Sequence, residues 1–322
     1  MAQAVTVYRW DDPGAPQIVD GRPSEFINVL KKCLAEGYGT KTAVGWSIED
    51  ENLPEESPFL ALKNNVSTGG SGGVLIASAS NNNATNSIRL QSALDYISKS
   101  EQSRLGAYFY TSTGGSGIYY PNNWVIIASA TAFFYIAHSE NRKNLNYFGA
   151  TNHSMFFAGD FSSFYGFDSA RFITLSGKIN NTSTSWNTQL NYVISDDYTN
   201  SAGYIYALDS SVSKANSYLL TSFGNHALNQ SSIQDSSPEI RVLSPFLLST
   251  GSYSLASAGT TGNSEILPFV RGQIPGLFAS QEYGYRSESM PFIKLIDGSQ
   301  YYSVPRANNG GTSIWINMEE WP

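Results

Sequence analysis

The sequence predicts a mainly β fold, with antiparallel sheets in a sandwich or barrel-like arrangement, long loops and one short N-terminal α-helix. Three observations predict it. Short apolar segments recur along all 322 residues between stretches rich in Gly, Asn and Ser. Aromatic residues make up 13% of the chain, 20 Tyr and 17 Phe among them, and these types favour strands. Only one segment shows the three-and-four apolar spacing of an amphipathic helix.

The first element is a short alternating strand, Val5 to Trp10, which ends in the turn-rich DDPGAP. The helix follows from Ser24 to Glu36, with Ser24 as its cap and Glu25 in the first turn. Phe26, Ile27, Leu30, Cys33 and Leu34 share one face, Lys31 and Lys32 lie opposite, and Gly37 supplies a left-handed stop. Next, EDENLPEE (49–56) gathers five carboxylates around a Pro without the spacing of a calcium loop, which reads as a solvated linker.

Beyond it the predicted strands are Phe59–Lys63, Val74–Ala79, Ala107–Tyr110, Val125–Ala128, Ala132–Ala137, Phe156–Ala158 and Phe172–Leu175. The later half adds Gly203–Leu208, Tyr218–Ser222, Ile240–Leu243, Phe292–Ile296, Tyr301–Val304 and Ser313–Asn317. Pro275 and Gly276 in RGQIPGLF predict a fixed turn entering a strand. The string STGGSG occurs at 67–72 and 112–117, ahead of VLIASA (74–79) and VIIASA (125–130). A solenoid needs at least three stacked units at a fixed period, so this reads as a flexible Gly/Ser loop before a buried strand, used twice. The segments group as 1–58, an N-terminal strand, helix and linker docking on the main body; 59–235, a β domain with Ser/Asn-rich loops; and 236–322, a C-terminal β region packed with it.

Charged residues are only 14% of the chain, so Ser, Asn, Thr, Gly and Tyr must cover much of the surface, as on adaptable contact surfaces. The net charge of −7 disfavours nucleic acid as a partner. A single cysteine, Cys33, excludes an internal disulfide framework, and its place on the apolar helix face makes it a buried hydrophobe rather than a nucleophile. The N-terminus lacks the pattern of a secretory signal. The most apolar stretch, WVIIASATAFFYIAH from Trp124 to His138, falls short of the roughly 20 residues of a membrane span and reads as two strands.

Chemistry-bearing patterns are weak. The Gly-rich loops lack the Gly-Lys-Ser/Thr ending of a phosphate loop, and no strand–elbow–helix signature surrounds a Gly-x-Ser-x-Gly pentapeptide. His138, His153 and His226 are scattered, without metal-ligand spacing, so neither a metal nor a cofactor is expected. Carboxylates for glycoside cleavage would come from Asp160, Asp168, Asp196, Asp197 and Asp209, which lie among aromatics, although such residues are ordinarily turn formers.

With these segments in view, the chain resembles a family of tailed-bacteriophage virion structural proteins. The resemblance rests on VTVYRWDDPGAPQI and SEFINVLKKCLAEGYGTKTAVGW near the start, and on FFAGDFSSFYGFDSARF at 156–172. RGQIPGLFA (Arg271 to Ala279) and the closing SIWINMEEW complete it, while Asn180 to Ser237 matches least. It implies a non-enzymatic component of the virion, assembled in the bacterial host cytoplasm, in a tail, neck or baseplate position rather than as head decoration. Its partners would be other phage structural proteins and copies of itself. Tyr8, Arg9 and Trp10 are the interface candidates, because an N-terminal strand can add to a neighbouring sheet edge; the alternative is that this strand pairs within its own domain. Two other readings are a module that binds host-surface glycan through loops 180–201 and a glycan depolymerase using the Asp residues above.

Overall fold

The computed structural model describes residues 2–53, 56–84, 86–114, 117, 119–145, 153–177, 179–180, 189–195, 201–209, 211–222, 239–250, 266–305 and 312–322. Among them the strands begin with β1 (Gln3–Ala4), β2 (Thr6–Arg9), β3 (Ser47–Asn52), β4 (Phe59–Lys63), β5 (Val74–Ser78), β6 (Ile88–Ser98) and β7 (Glu101–Thr111). They continue with β8 (Asn123–Ala128), β9 (Ala132–His138), β10 (His153–Asp160), β11 (Ser162–Ser163), β12 (Phe172–Leu175), β13 (Gly203–Tyr206) and β14 (Lys214–Leu220). The last are β15 (Leu243–Ser249), β16 (Val270–Gly284), β17 (Ile293–Ile296), β18 (Ser299–Pro305), β19 (Thr312–Asn317) and β20 (Glu320–Trp321). No helix among the described residues is long and apolar enough to cross a membrane.

Three antiparallel sheets stack. The first runs β3-β4-β5-β6-β7, and the second β12-β10-β9-β8-β2. The third runs β13-β14-β15-β16-β19-β18-β17, with β11 beside β16, while β1 pairs with β20. The second sheet is the middle layer, and side-chain parity shows it. Val125, Ile127, Phe134, Ile136, Met155 and Phe157 join one core with Leu248, Leu277, Trp315 and Trp321 of the third sheet and the closing strand. Their neighbours Trp124, Ile126, Phe133, Tyr135 and Phe156 point the other way, into a core with Leu60, Leu75 and Phe109 of the first sheet and the helix. A sheet buried on both faces needs apolar residues at every position, which is why WVIIASATAFFYIAH is continuous rather than alternating.

The helix α1 (Pro23–Lys31) continues into a π-helical turn, Lys32–Glu36, and buries Phe26, Ile27, Leu30, Cys33 and Leu34 as the spacing predicts. Its cap is Arg22, not Ser24, because Pro23 takes the first helical position, where no donor is needed. The Ser24 N–H is satisfied instead by the Asn82 side chain at 3.0 Å. Gly37 does end the helix at a positive φ of 82°. A short second helix, α2 (Leu190–Ser195), was not expected.

Several boundaries differ from expectation for physical reasons. The acidic run is not a linker at its start: Ser47–Asn52 is β3, its Glu51 paired with Lys31 at 2.6 Å, with Leu53 packed against the core. RGQIPGLF lies inside the 15-residue β16 rather than in a turn. The positive φ of Gly276 (71°) is spent on an irregularity in the pairing with β15. The strand expected at Ile240–Leu243 is displaced to Leu243–Ser249, whose Pro245 sits at that same register shift. The loop carrying the first STGGSG is tethered rather than flexible: Ser71 donates its N–H and hydroxyl to Asp160 at 2.8 and 2.5 Å. Gly73 lies against Phe172 so closely that a Cβ would come within 2.2 Å of that side chain. The sheets also cross both expected segment boundaries, since β2 joins β8 and β14 joins β15.

Candidate functional site

Two of the segments singled out in the sequence, 156–172 and 271–279, meet in space. After β10 the chain makes the two-residue strand β11, where Ser162 and Ser163 face Gln273 and Gly272 of β16. Beneath the contact, Asp168 and Arg271 form an ion pair at 2.7 Å with both side chains fully buried. Arg271 also donates to the Tyr206 carbonyl at 2.7 Å, while Asp168 accepts from the Ser163 hydroxyl at 2.8 Å and the Ala170 N–H at 3.0 Å. These further bonds replace much of the water around each charge, although Arg271 Nε is buried with no hydrogen-bond partner among the described residues.

Between Ser163 and Asp168 the chain turns outward and exposes aromatic rings. Phe164 is 57% and Phe167 72% exposed. The turn is nonetheless held: the Phe164 N–H donates to the Arg271 carbonyl at 2.9 Å, and the Asp168 N–H to the Tyr165 carbonyl at 3.0 Å. The Tyr165 hydroxyl reaches the Val270 carbonyl at 3.4 Å, and its ring packs edge-on to Phe167 at 6.4 Å. A loop ordered in this way has already lost its conformational entropy, so a partner covering the two Phe rings gains apolar burial with little further ordering cost.

The interface candidates from the N-terminal strand behave differently. Tyr8 is fully buried and donates to the Thr42 carbonyl at 2.6 Å, so its side chain is no surface anchor. Trp10 is half-buried and packs edge-on against His138 at 5.1 Å. Arg9 pairs with Asp11 and stacks 5.4 Å over Trp10. The strand pairs within its own middle sheet, and its outer edge is already occupied. Lys41 donates to the Val7 carbonyl at 2.6 Å, and the Arg9 N–H is taken by Asp12 at 2.7 Å. A lysine and a turn carboxylate capping an edge strand oppose strand addition there.

The candidate carboxylates are scattered. Asp160 is 6% exposed, and burial, opposed by its Ser71 hydrogen bonds and Arg171, pushes its carboxyl up to about 6. Arg171 stands 3.7 Å away across a cleft that Thr131, Ser162 and Trp321 also line. Asp168 is committed to Arg271. Asp209 is an exposed turn residue that accepts from the Ser211 N–H at 3.0 Å, which holds it below the usual carboxylate range. Asp196, Asp197, His226 and most of loops 180–201 lie outside the described residues. His138 and His153 face each other across β9 and β10, and burial lowers His138 to about 4. Burial likewise pushes the Cys33 thiol well up, in keeping with an inert buried hydrophobe. Among the described residues, no group of three or more His, Cys, Asp and Glu side chains could hold a metal ion.

Sequence reading missed Arg271 as a structural charge, and the only available signal was a lone Arg entering an apolar segment. The chain matches no protein-family model, and no curated protein matches it in sequence.

Proposed function

We propose that this chain is a structural component of a tailed-bacteriophage particle, acting through protein–protein assembly in a tail, neck or baseplate position. One observation carries the reading: an aromatic turn, Phe164 to Phe167, is exposed yet held by a buried Asp168–Arg271 pair. That turn lies within 156–172 and is bonded to Arg271 of 271–279, two of the segments that carry the resemblance to virion proteins. Centrally placed aromatic anchors dominate protein interfaces, and symmetry repeats each such contact around a ring.

The experiment is to assemble particles with the double variant Phe164→Ala, Phe167→Ala and to measure their composition by mass spectrometry beside plaque counts. Incorporation should fall while the melting temperature of the free chain stays unchanged, because both rings are exposed. Normal incorporation would remove the turn from the interface. Asp160→Asn should leave infection nearly intact; normal incorporation with infectivity abolished by that change would point to an enzyme instead. Trp10→Ala, with its ring packed on His138, should act on stability first.

A further inference from the structure

The outer face of the first sheet, opposite its helix-facing side, is organised by two cross-strand rows. Phe59, Ser78, Arg89 and Tyr110 form one, and Ala61, Ile76, Gln91 and Tyr108 the next. The hairpin of β6 and β7 does not lie flat on this sheet. Register shifts at Gln91/Ala93 and Tyr96/Ser98 bend it, and Tyr96 reaches across to donate to Asp50 of β3 at 3.0 Å. The bend brings Lys99 over the Phe59 ring at 4.7 Å and closes a small apolar cluster of Phe59, Ala61, Val74, Ile76 and Ala93.

At the mouth of that cluster lie two adjoining hollows of about 180 and 350 Å³ that share Ser78, Arg89 and Lys99. Their other polar walls include Gln91, Gln102 and Asn86, and among the described residues no Asp or Glu lines either one. In a chain with 26 acidic and 19 basic residues, two cations facing one space with no carboxylate among its described lining residues need an explanation. Arg89 is also preset: its guanidinium stacks on Tyr108 at 4.6 Å and donates to the Gln91 side chain at 2.7 Å. Gln91 is in turn anchored to the Gly106 carbonyl at 2.8 Å. Arg89 Nε and Gln102 Oε1 are buried and have no hydrogen-bond partner among the described residues.

We infer that these hollows form a binding site for a small anionic ligand, a carboxylate or phosphate borne on a hydroxyl-rich body such as a sugar. Arg89 and Lys99 take the anion, and Gln91, Gln102, Asn86 and Ser78 take hydroxyl groups. Charge-assisted hydrogen bonds from a fixed guanidinium suit an oxyanion, and flanking amides can both donate and accept. The site is independent of the assembly reading and lies on the first sheet, whereas the aromatic turn adjoins the third.

Calorimetric titration of the full chain with galacturonate, inorganic phosphate and neutral galactose tests it. Saturable binding of at least one anion, with none of galactose, is expected. Galacturonate alone would identify an acidic saccharide, and phosphate alone a phosphate-bearing ligand. Arg89→Gln and Lys99→Gln should each weaken binding about tenfold or more, the cost of losing one charge-assisted contact. Lys99 is exposed, so its variant should keep the wild-type melting temperature and separate lost binding from lost folding. No saturable binding of either anion, equal binding of galactose, or affinity unmoved by both substitutions would overturn the site.

Discussion

Burial raises the Asp160 carboxyl to about 6, so between about pH 4 and 6 the folded chain holds a proton there that the unfolded chain has released. Stability from this residue is therefore full below its unfolded value and is lost as pH rises through 6. His138 has the opposite sign. Its imidazole, lowered to about 4 by burial, stays neutral in the fold while the unfolded chain takes up a proton below about 6.5, so its stability is lost as pH falls through that window. Each effect is worth up to about 3 kcal/mol at 1.36 kcal/mol per unit, and the two nearly cancel. Asp160→Asn should unmask the histidine, giving stability that rises from pH 4 to 6.5, and His138→Gln the reverse slope; parallel profiles for wild type and both variants in urea titrations would refute the pairing. At Asp168 the expected result is a loss of about 3–5 kcal/mol in Asp168→Asn, which strands a buried guanidinium, against a much smaller loss when Asp168→Leu is combined with Arg271→Met. Calorimetric melting of both variants checks this. Neither burial was legible in the sequence, because Ser71 and Asp160 lie 89 positions apart and Asp168 and Arg271 lie 103 apart.

At the scale of elements, the helix was the most legible feature, since its apolar face is written in residues three and four apart. Leu30 is fully buried in the core shared with the first and middle sheets. Leu30→Ala should therefore cost about 2–5 kcal/mol, read as a lower urea midpoint at unchanged slope. Gly276 is a second fixed point. Its φ of 71° disfavours any side chain, and a Cβ there would meet Trp321 Nε1 at 2.1 Å. Gly276→Val should strain the backbone and displace the closing strand, visible as lost soluble yield or a lowered melting temperature; a wild-type melt would mean that Trp321 yields freely. Two strands that sequence reading missed, β3 and β6, share one cause. In β3 and β6 one face carries Glu, Asp, Arg or Gln, so their apolar positions are too sparse to stand out locally. Only their partners, β4 for one and β5 and β7 for the other, show that they are strands.

For the molecule as a whole, the middle sheet gives one residue after another to two cores, so neither core can open without disturbing the sheet that closes the other. Trp46 and Trp124 report on one core, Trp315 and Trp321 on the other. Variants retaining one tryptophan from each side should show the same urea midpoint by fluorescence; two separated midpoints would mean that the layers unfold independently. The sequence by itself determined the β class, the helix and its buried face, and the middle hairpin, because the period and continuity of apolar residues are local properties that any partner must respect. Tertiary structure alone decided that Tyr8 is buried and its strand edge occupied, that Asp168 pairs with Arg271, and that Phe164 and Phe167 stand exposed. Those outcomes depend on which charges and carbonyls stacking brings within a few ångströms, and electrostatic and hydrogen-bond energies fall off over that same distance.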